Sequence, residues 1–305
     1  MQLIQQTTEF MLDTPSAVAI GKFDGIHKGH QALLQNVLLQ KEKGRRAVVF
    51  TFDPPPSVFF GNSEQKGLTT KEEKRRIFEK LGIDVLIEFP LTKETAAISP
   101  QDFVTKLLVG KMNAVYVAAG SDLTFGDKGR GNRELLEQLG RQLGFEVKVI
   151  EKICIGGKEV SSSRIRWEIE QGNMEQAKEL IGFPYSVTGT VVHGRHLGSR
   201  LGMPTVNLLP PKDKLLPPRG VYTSYVSYGG KHYKSISNVG CKPTVSQEMV
   251  LGVETYLYDF RKDIYGKQIT VNLLSFRRPE RRFASVEELK AQMQQDIEEG
   301  KGYMG

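Results

Sequence analysis

Ala17-Val18-Ala19-Ile20-Gly21-Lys22-Phe23-Asp24-Gly25-Ile26-His27-Lys28-Gly29-His30 is the stretch on which the fold turns. Four apolar residues make a short buried strand, a turn bounded by glycines follows, and Leu33, Leu34, Val37 and Leu38 then recur at helical spacing, with Gly44 as the stop. A strand running through such a turn into a helix gathers backbone N–H groups and the positive end of a helix dipole at one point, which favours an anion. Gly25 and Gly29 let a phosphate approach the main chain, and His27 and His30, three residues apart, can point the same way. Two imidazoles there can hydrogen-bond phosphate oxygens whose charge grows in phosphoryl or nucleotidyl transfer. An isolated HxGH could be two surface histidines beside a turn; the preceding strand, the Gly-x-Phe-Asp-Gly lead-in and the following helix favour a phosphate site.

Working outward, residues 47–52, 85–89, 115–119 and 147–150 are further short runs rich in Val and Ile, separated by amphipathic stretches. The alternation predicts an α/β, Rossmann-like domain with a mainly parallel sheet and ligands at the carboxyl ends of its strands. Asn173 can cap a helix ending near Gly182, and Phe183-Pro184 breaks the chain. Beyond it the period becomes alternating. Residues 221–228 and 231–239 flank Gly229-Gly230, a hairpin signal; 253–260 and 269–276 are further strands, with a turn at Tyr265-Gly266. Ser285 and Glu288 form a capping box before a helix ending at Gly300. Two domains are therefore expected, 1–184 and 185–305, the second an antiparallel β-barrel with a closing C-terminal helix.

The 305 residues, 39% apolar and 25% charged, exclude disorder and collagen-like structure, and the length favours two cores over one. No apolar run approaches the roughly 20 residues of a membrane span, and residues 1–13 lack a signal-peptide pattern, so a cytoplasmic protein without a membrane partner is expected. Cys154 and Cys241 have no neighbouring His or Cys and suggest neither a disulfide framework nor a metal site. The net charge of +7 is uneven: residues 1–184 hold 25 Lys plus Arg against 24 Asp plus Glu, and residues 185–305 hold 17 against 11. Nucleic-acid motifs and aromatics interleaved with the basic residues are absent, so phosphorylated small molecules are the expected partners and no nucleic acid is.

A second anion element stands at Ser161-Ser162-Ser163-Arg164-Ile165-Arg166, where hydroxyls open a helix and Arg166 follows one turn on. With HxGH, its spacing resembles the nucleotidylyltransferase superfamily, in which HxGH and S-S-T-x-x-R grip ATP from two sides; Ser163 stands in the place of Thr. The resemblance implies that Gly21, Phe23, Asp24, Gly25, His27, Gly29, His30, Ser162, Ser163 and Arg166 serve ATP. Gly120-Ser121-Asp122-Leu123-Thr124-Phe125-Gly126 is similar to the G-x-D-F-x-F-G segment of prokaryotic FAD synthetase modules, which lies near the flavin. It implies flavin contacts at Asp122 and Phe125, with Leu123 replacing an aromatic. Phe52-Asp53-Pro54-Pro55-Pro56 resembles the family's F-x-P-H-P, with Pro55 in place of His.

The second half has neither a G-x-x-x-x-G-K-[ST] P-loop nor a protein-kinase signature. It offers His193-Gly194 and Gly198, then Leu201-Gly202-Met203-Pro204-Thr205-Val206-Asn207: glycine-rich backbone beside hard oxygen ligands, which suits Mg-ATP. The run resembles the G-F-P-T-A-N motif of riboflavin kinases, implying nucleotide and phosphate contacts at Gly198, Gly202 and Pro204, and Thr205 and Asn207 near magnesium; Ser199 replaces a frequent Arg, a contact Arg200 could supply. Pro218-Arg219-Gly220, Asn238-Val239-Gly240, Pro243-Thr244 and Arg278-Pro279-Glu280 follow in the family's order, and the strand V-E-T-Y-L-Y-D-F implies Glu254 as the base at the flavin's ribityl hydroxyl, with Arg278 beside the flavin. The resemblance covers essentially the whole chain and identifies the prokaryotic bifunctional riboflavin kinase/FAD synthetase family. It implies ATP, riboflavin and FMN as substrates, FMN and FAD as products rather than prosthetic groups, Mg2+ with ATP, and a monomer or weak homo-oligomer. Two alternatives stay open at this point: a kinase-only enzyme with a degenerate first domain, and a flavin- or nucleotide-sensing binding protein.

Overall fold

Six parallel strands form the first sheet: β1 Gln2–Gln5, β2 Ser16–Ile20, β3 Arg46–Asp53, β4 Val85–Pro90, β5 Ala114–Gly120 and β6 Glu146–Ile150, in the order β1-β4-β3-β2-β5-β6. The computed structural model describes residues 1–61, 66–194, 197–243 and 249–302. Alternate side chains of the central strands feed two cores, as a sheet covered on both faces requires. Val18, Ile20, Val48 and Phe50 join Phe89, Phe103 and Leu136 on one side; Ala17, Ala19, Ala47 and Val49 join Leu33, Leu34, Val37 and Phe78 on the other. The helix Lys28–Leu38 buries those two leucines and Val37, and after a 3-10 turn the chain leaves through left-handed Gly44. The four strands expected after the first are all present. β1, short and flanked by glutamines, carries no pattern in the sequence yet pairs with β4 along the edge.

β3 lies on one side of β2 and β5 on the other. Their connections leave in opposite directions, so the crevice at the carboxyl ends of β2 and β5 is the sheet's topological switch point, where ligands of open α/β sheets bind. Residues 21–30 follow β2 there and residues 121–126 follow β5. A small hairpin, β7 Cys154–Ile155 and β8 Lys158–Glu159, follows β6.

By its internal contacts the chain divides into Met1–Ser161 and Ser162–Gly305. The second unit is a closed antiparallel barrel of β9 Tyr185–Val192, β10 Thr205–Leu208, β11 Gly220–Tyr228, β12 Lys231–Pro243, β13 Met249–Leu257 and β14 Gln268–Pro279, in the order β10-β13-β12-β11-β14-β9. The helices Ser162–Glu170 and Met174–Ile181 belong to this unit, the latter lying against β14 and β9. Asn173 begins that helix, but its side chain donates to Glu168 Oε2 at 2.9 Å rather than capping it. Along β13, Val253, Thr255 and Leu257 are buried while Glu254 and Tyr256 between them are half-buried. Hydroxyls take part in the buried packing: Ser224 bonds Ser235 at 2.7 Å and Ser237 at 2.8 Å, and Ser237 bonds Thr255 at 2.8 Å. The helix Val286–Lys301 starts at Ser285, whose hydroxyl accepts from Glu288 N–H, and docks through Tyr258, whose hydroxyl donates to the Ile297 carbonyl at 2.6 Å.

Candidate functional sites

The turn after β2 is held in a strained form by what surrounds it. Phe23 and Ile26 have φ of 51° and 42°, a region costly for side-chain-bearing residues, and both are fully buried. Gly25, at φ 82°, has no room for a β-carbon, which would lie 2.8 Å from Leu68 Cδ1. Asp24 Oδ1 accepts from the N–H groups of Leu68 (2.8 Å) and Thr69 (3.3 Å), and Gly25 N–H donates to Thr69 Oγ1. Asp24 thus ties the turn to the segment that enters the helix Lys71–Leu81 through a Thr70/Glu73 capping box.

His27 is the residue before the helix Lys28–Leu38, and its ring stacks on that of His30, with centroids 3.8 Å apart and planes 23° apart. Phe23 packs 5.2 Å from the His30 ring and edge-on to Phe78. Among the described residues, the two Nδ1 atoms are the buried side-chain polar atoms lacking a hydrogen-bond partner. Such atoms are rare in native proteins, and here they stand open to a polar group brought from outside the chain. Burial lowers His27 to about 4 and His30 well below the usual imidazole range, the latter with further pressure from His27 and Lys74. Both rings are therefore neutral at neutral pH, suited to donating N–H bonds to phosphate rather than to supplying charge.

Phe125 is 4% exposed and packs 5.4 Å from Phe103 inside the first core, with Leu123 against the same cluster. Asp122 is exposed, 3.6 Å from Lys152. Pro55 begins the short turn Pro56–Phe59, and neighbouring Asp53 pairs with Lys71 at 2.6 Å. Ser162 and Ser163 open the helix Ser162–Glu170; Ser163 is exposed, while Ser162 and Arg166, one turn apart, are half-buried.

In the barrel, Asn207 on β10 and Asn238 on β12 both pair in register with Glu254 on β13, so the three share one face. The Thr205 hydroxyl donates to Glu254 Oε1 at 2.5 Å. A β-carbon on Gly194 would fall 2.4 Å from Asn207 Nδ2, and one on Gly198 2.5 Å from the Met203 carbonyl and 3.2 Å from Thr205 Oγ1. The backbone therefore closes on these two side chains as a cradle that any residue larger than glycine would fill. Ser199, Arg200, Gly202 and Pro204 line the exposed side of the same turn. Arg278 makes a two-pronged pair with Asp296 of the closing helix, at 2.8 and 2.5 Å. Thr244 lies outside the described residues. Among the described residues there is no cluster of three or more His, Cys, Asp or Glu able to hold a metal.

Three residues of these sites escape sequence reasoning. Tyr265, legible only as part of a turn, stacks on His193 at 3.9 Å. Asn238, legible only as part of a family motif with no role attached, faces Glu254 through barrel register. Lys74 sits in Lys71-Glu72-Glu73-Lys74-Arg75-Arg76, which reads as a solvated helix face, yet is half-buried.

Two family models match the chain, FAD synthetase over residues 10–164 and riboflavin kinase over residues 181–304. Bifunctional riboflavin kinase/FMN adenylyltransferases of Listeria monocytogenes and Escherichia coli K12 are each 35% identical, the first over 97% of this chain and 95% of its own, the second over 92% and 90%. One of Bacillus subtilis is 34% identical over 94% and 92%. A crystal structure described as a macrolide-efflux protein from Streptococcus pneumoniae matches with a TM-score of 0.87 at 29% identity, covering 99% of each chain. Among the described residues no helix is long and apolar enough to cross a membrane. The family models and the three relatives agree in naming a riboflavin kinase and the making of FAD; the efflux description names another activity.

Proposed function

The chain belongs to the bifunctional riboflavin kinase/FMN adenylyltransferase family, and from that premise we propose how its own residues divide two reactions between them. The protein phosphorylates riboflavin to FMN with one ATP and joins FMN to the AMP portion of a second, giving FAD and pyrophosphate. We assign the adenylyltransferase to residues 1–184 and the kinase to residues 185–305.

In the kinase, Glu254 accepts the proton of the ribityl hydroxyl as that oxygen bonds to the γ-phosphorus and the bond to ADP breaks. A neutral alcohol is a poor nucleophile, so a positioned carboxylate matters. The 2.5 Å bond from Thr205 to Glu254 carries this assignment, because it fixes the base beside Asn207 and the glycine cradle. The Thr205 hydroxyl keeps lone pairs while donating. With the Asn207 carbonyl it fits magnesium, which when bound would neutralise phosphate charge. His193 and Tyr265 flank the same turn, and Arg278, engaged with Asp296, bears on the flavin through the closing helix.

In the adenylyltransferase, an FMN phosphate oxygen bonds to the α-phosphorus of ATP and the electron pair of the breaking bond leaves with pyrophosphate. The neutral His27 and His30 rings and the N–H groups of the turn, whose close packing Gly21, Gly25 and Gly29 permit, bind the phosphates. Ser162, Ser163 and Arg166 are further phosphate ligands in this reading, and Asp122 and Phe125 serve the flavin. Small-molecule substrates, no nucleic-acid or membrane partner, a cytoplasmic setting and a monomer or weak homo-oligomer complete the reading.

His30→Ala is expected to leave FMN formation intact and stop FAD formation, while Glu254→Ala stops phosphorylation and still converts supplied FMN. Chromatography of flavins from each variant decides; a folded variant that loses both steps together contradicts two separate sites.

A further inference from the structure

A pair of neutral imidazoles cannot supply positive charge to a departing pyrophosphate, which leaves a role for a cation beside them in addition to Arg166. The helix Lys71–Leu81 carries Lys71, Lys74, Arg75 and Phe78 at the spacing of one helix face. That face meets the HxGH region: Lys71 pairs with Asp53, Arg75 with Glu88, and Phe78 packs on Phe23, whose ring touches His30. Lys74 stands among these contacts, half-buried, and close enough to His30 to oppose its protonation.

The carboxylates around Lys74 are Asp24, Glu88 and Asp53. Each is answered by another group: Asp24 by two backbone N–H groups, Glu88 by Arg75, Asp53 by Lys71. Among the described residues the Lys74 ammonium makes no hydrogen bond or ion pair of its own, while Lys71 and Arg75 on the same face are both engaged. A partly desolvated ammonium without a partner is costly and is relieved by an anion.

We propose that Lys74 binds the phosphates of ATP in the adenylyltransferase site and offsets the charge that gathers on pyrophosphate as the bond to the α-phosphorus breaks. Burial lowers the Lys74 pKa while Asp24, Glu88 and Asp53 oppose that shift, and a bound phosphate would oppose it further; as an ammonium Lys74 acts as a fixed charge for the leaving group. The inference rests on the adenylyltransferase reading of the first unit.

The test compares full-length wild type, Lys74→Gln and Lys74→Arg for FAD formation from FMN and ATP, for inhibition of that reaction by inorganic pyrophosphate, and for thermal unfolding. Lys74→Gln is expected to lower kcat/KM by roughly 100-fold and to weaken pyrophosphate inhibition by about tenfold or more, with Lys74→Arg recovering much of both. FAD formation within about threefold of wild type in Lys74→Gln would overturn the proposal, and so would a loss of FAD formation with unchanged pyrophosphate inhibition, the mark of a structural role. Should Lys74→Gln not fold, Lys74→Arg decides, because a folded arginine variant that neither makes FAD nor responds to pyrophosphate also refutes it. Wild type that makes no FAD would instead refute the reading of the first unit.

Discussion

Thr205→Val removes one hydroxyl from the barrel and little else. Valine is nearly isosteric and suits a strand as well as threonine does, so β10 keeps its pairing with β13. The variant loses the 2.5 Å hydrogen bond to Glu254 Oε1. Hydrogen bonds to charged groups contribute about 1.5–3 kcal/mol. At about 1.4 kcal/mol per factor of ten, that is a roughly 10- to 150-fold fall in kcat/KM for riboflavin phosphorylation if the whole bond serves to hold the base. A further loss is expected if the oxygen also meets the phosphate-bound cation. FMN and ADP formation would be followed chromatographically over a range of ATP and riboflavin concentrations. Conversion of supplied FMN to FAD by the same preparation is expected to stay at the wild-type rate. Phosphorylation within about threefold of wild type would show that Glu254 does not depend on Thr205, and the assignment of the kinase centre would fall.

Two further outcomes follow from the HxGH turn. Because His27 titrates at about 4 when folded and near 6.5 when unfolded, the unfolded chain binds the extra proton in that interval, so stability falls as pH drops from about 6.5 to about 4, by up to about 3 kcal/mol. Denaturant unfolding of wild type and His27→Gln across this range should show a shallower pH dependence in the variant; identical slopes would contradict the buried neutral ring. Gly25→Ala forces a β-carbon to within 2.8 Å of Leu68 Cδ1 at φ 82°, and should cost about 1–3 kcal/mol and FAD formation while sparing phosphorylation, as thermal scans and flavin chromatography would report.

Much of this architecture is legible in the sequence because its period changes. Apolar runs separated by helical spacing give the parallel sheet, and alternation around Gly229-Gly230 gives the barrel, down to the β11–β12 hairpin. What escapes is set by partners far along the chain. Asp24 reads as part of a ligand-binding turn, but one carboxylate oxygen is taken by backbone 44 and 45 residues away. Lys74 is indistinguishable in the sequence from exposed Lys71 and Glu72 nearby, and the packing of Phe78 on Phe23 turns its face inward. β1 has too few residues and too many glutamines to show a period, and exists because the edge of β4 accepts it. Glu254 is legible as a candidate base through family resemblance alone, because nothing local in V-E-T-Y-L says which face of the strand is used.

The hydroxyls buried in the barrel settle that face. Thr255 is fastened to Ser237, and Ser237 through Ser224 to Ser235, by bonds of 2.7 to 2.8 Å. Moving β13 by a single position against β12 would turn Thr255 away, strand those alcohols in a dry interior, and carry Glu254 indoors. A fully greasy lining would forgive such a slip more readily. The alcohol chain works as a ratchet on strand alignment, so the placement of Glu254 beside Thr205 and Asn207 is written into chemistry on the opposite face of the strand.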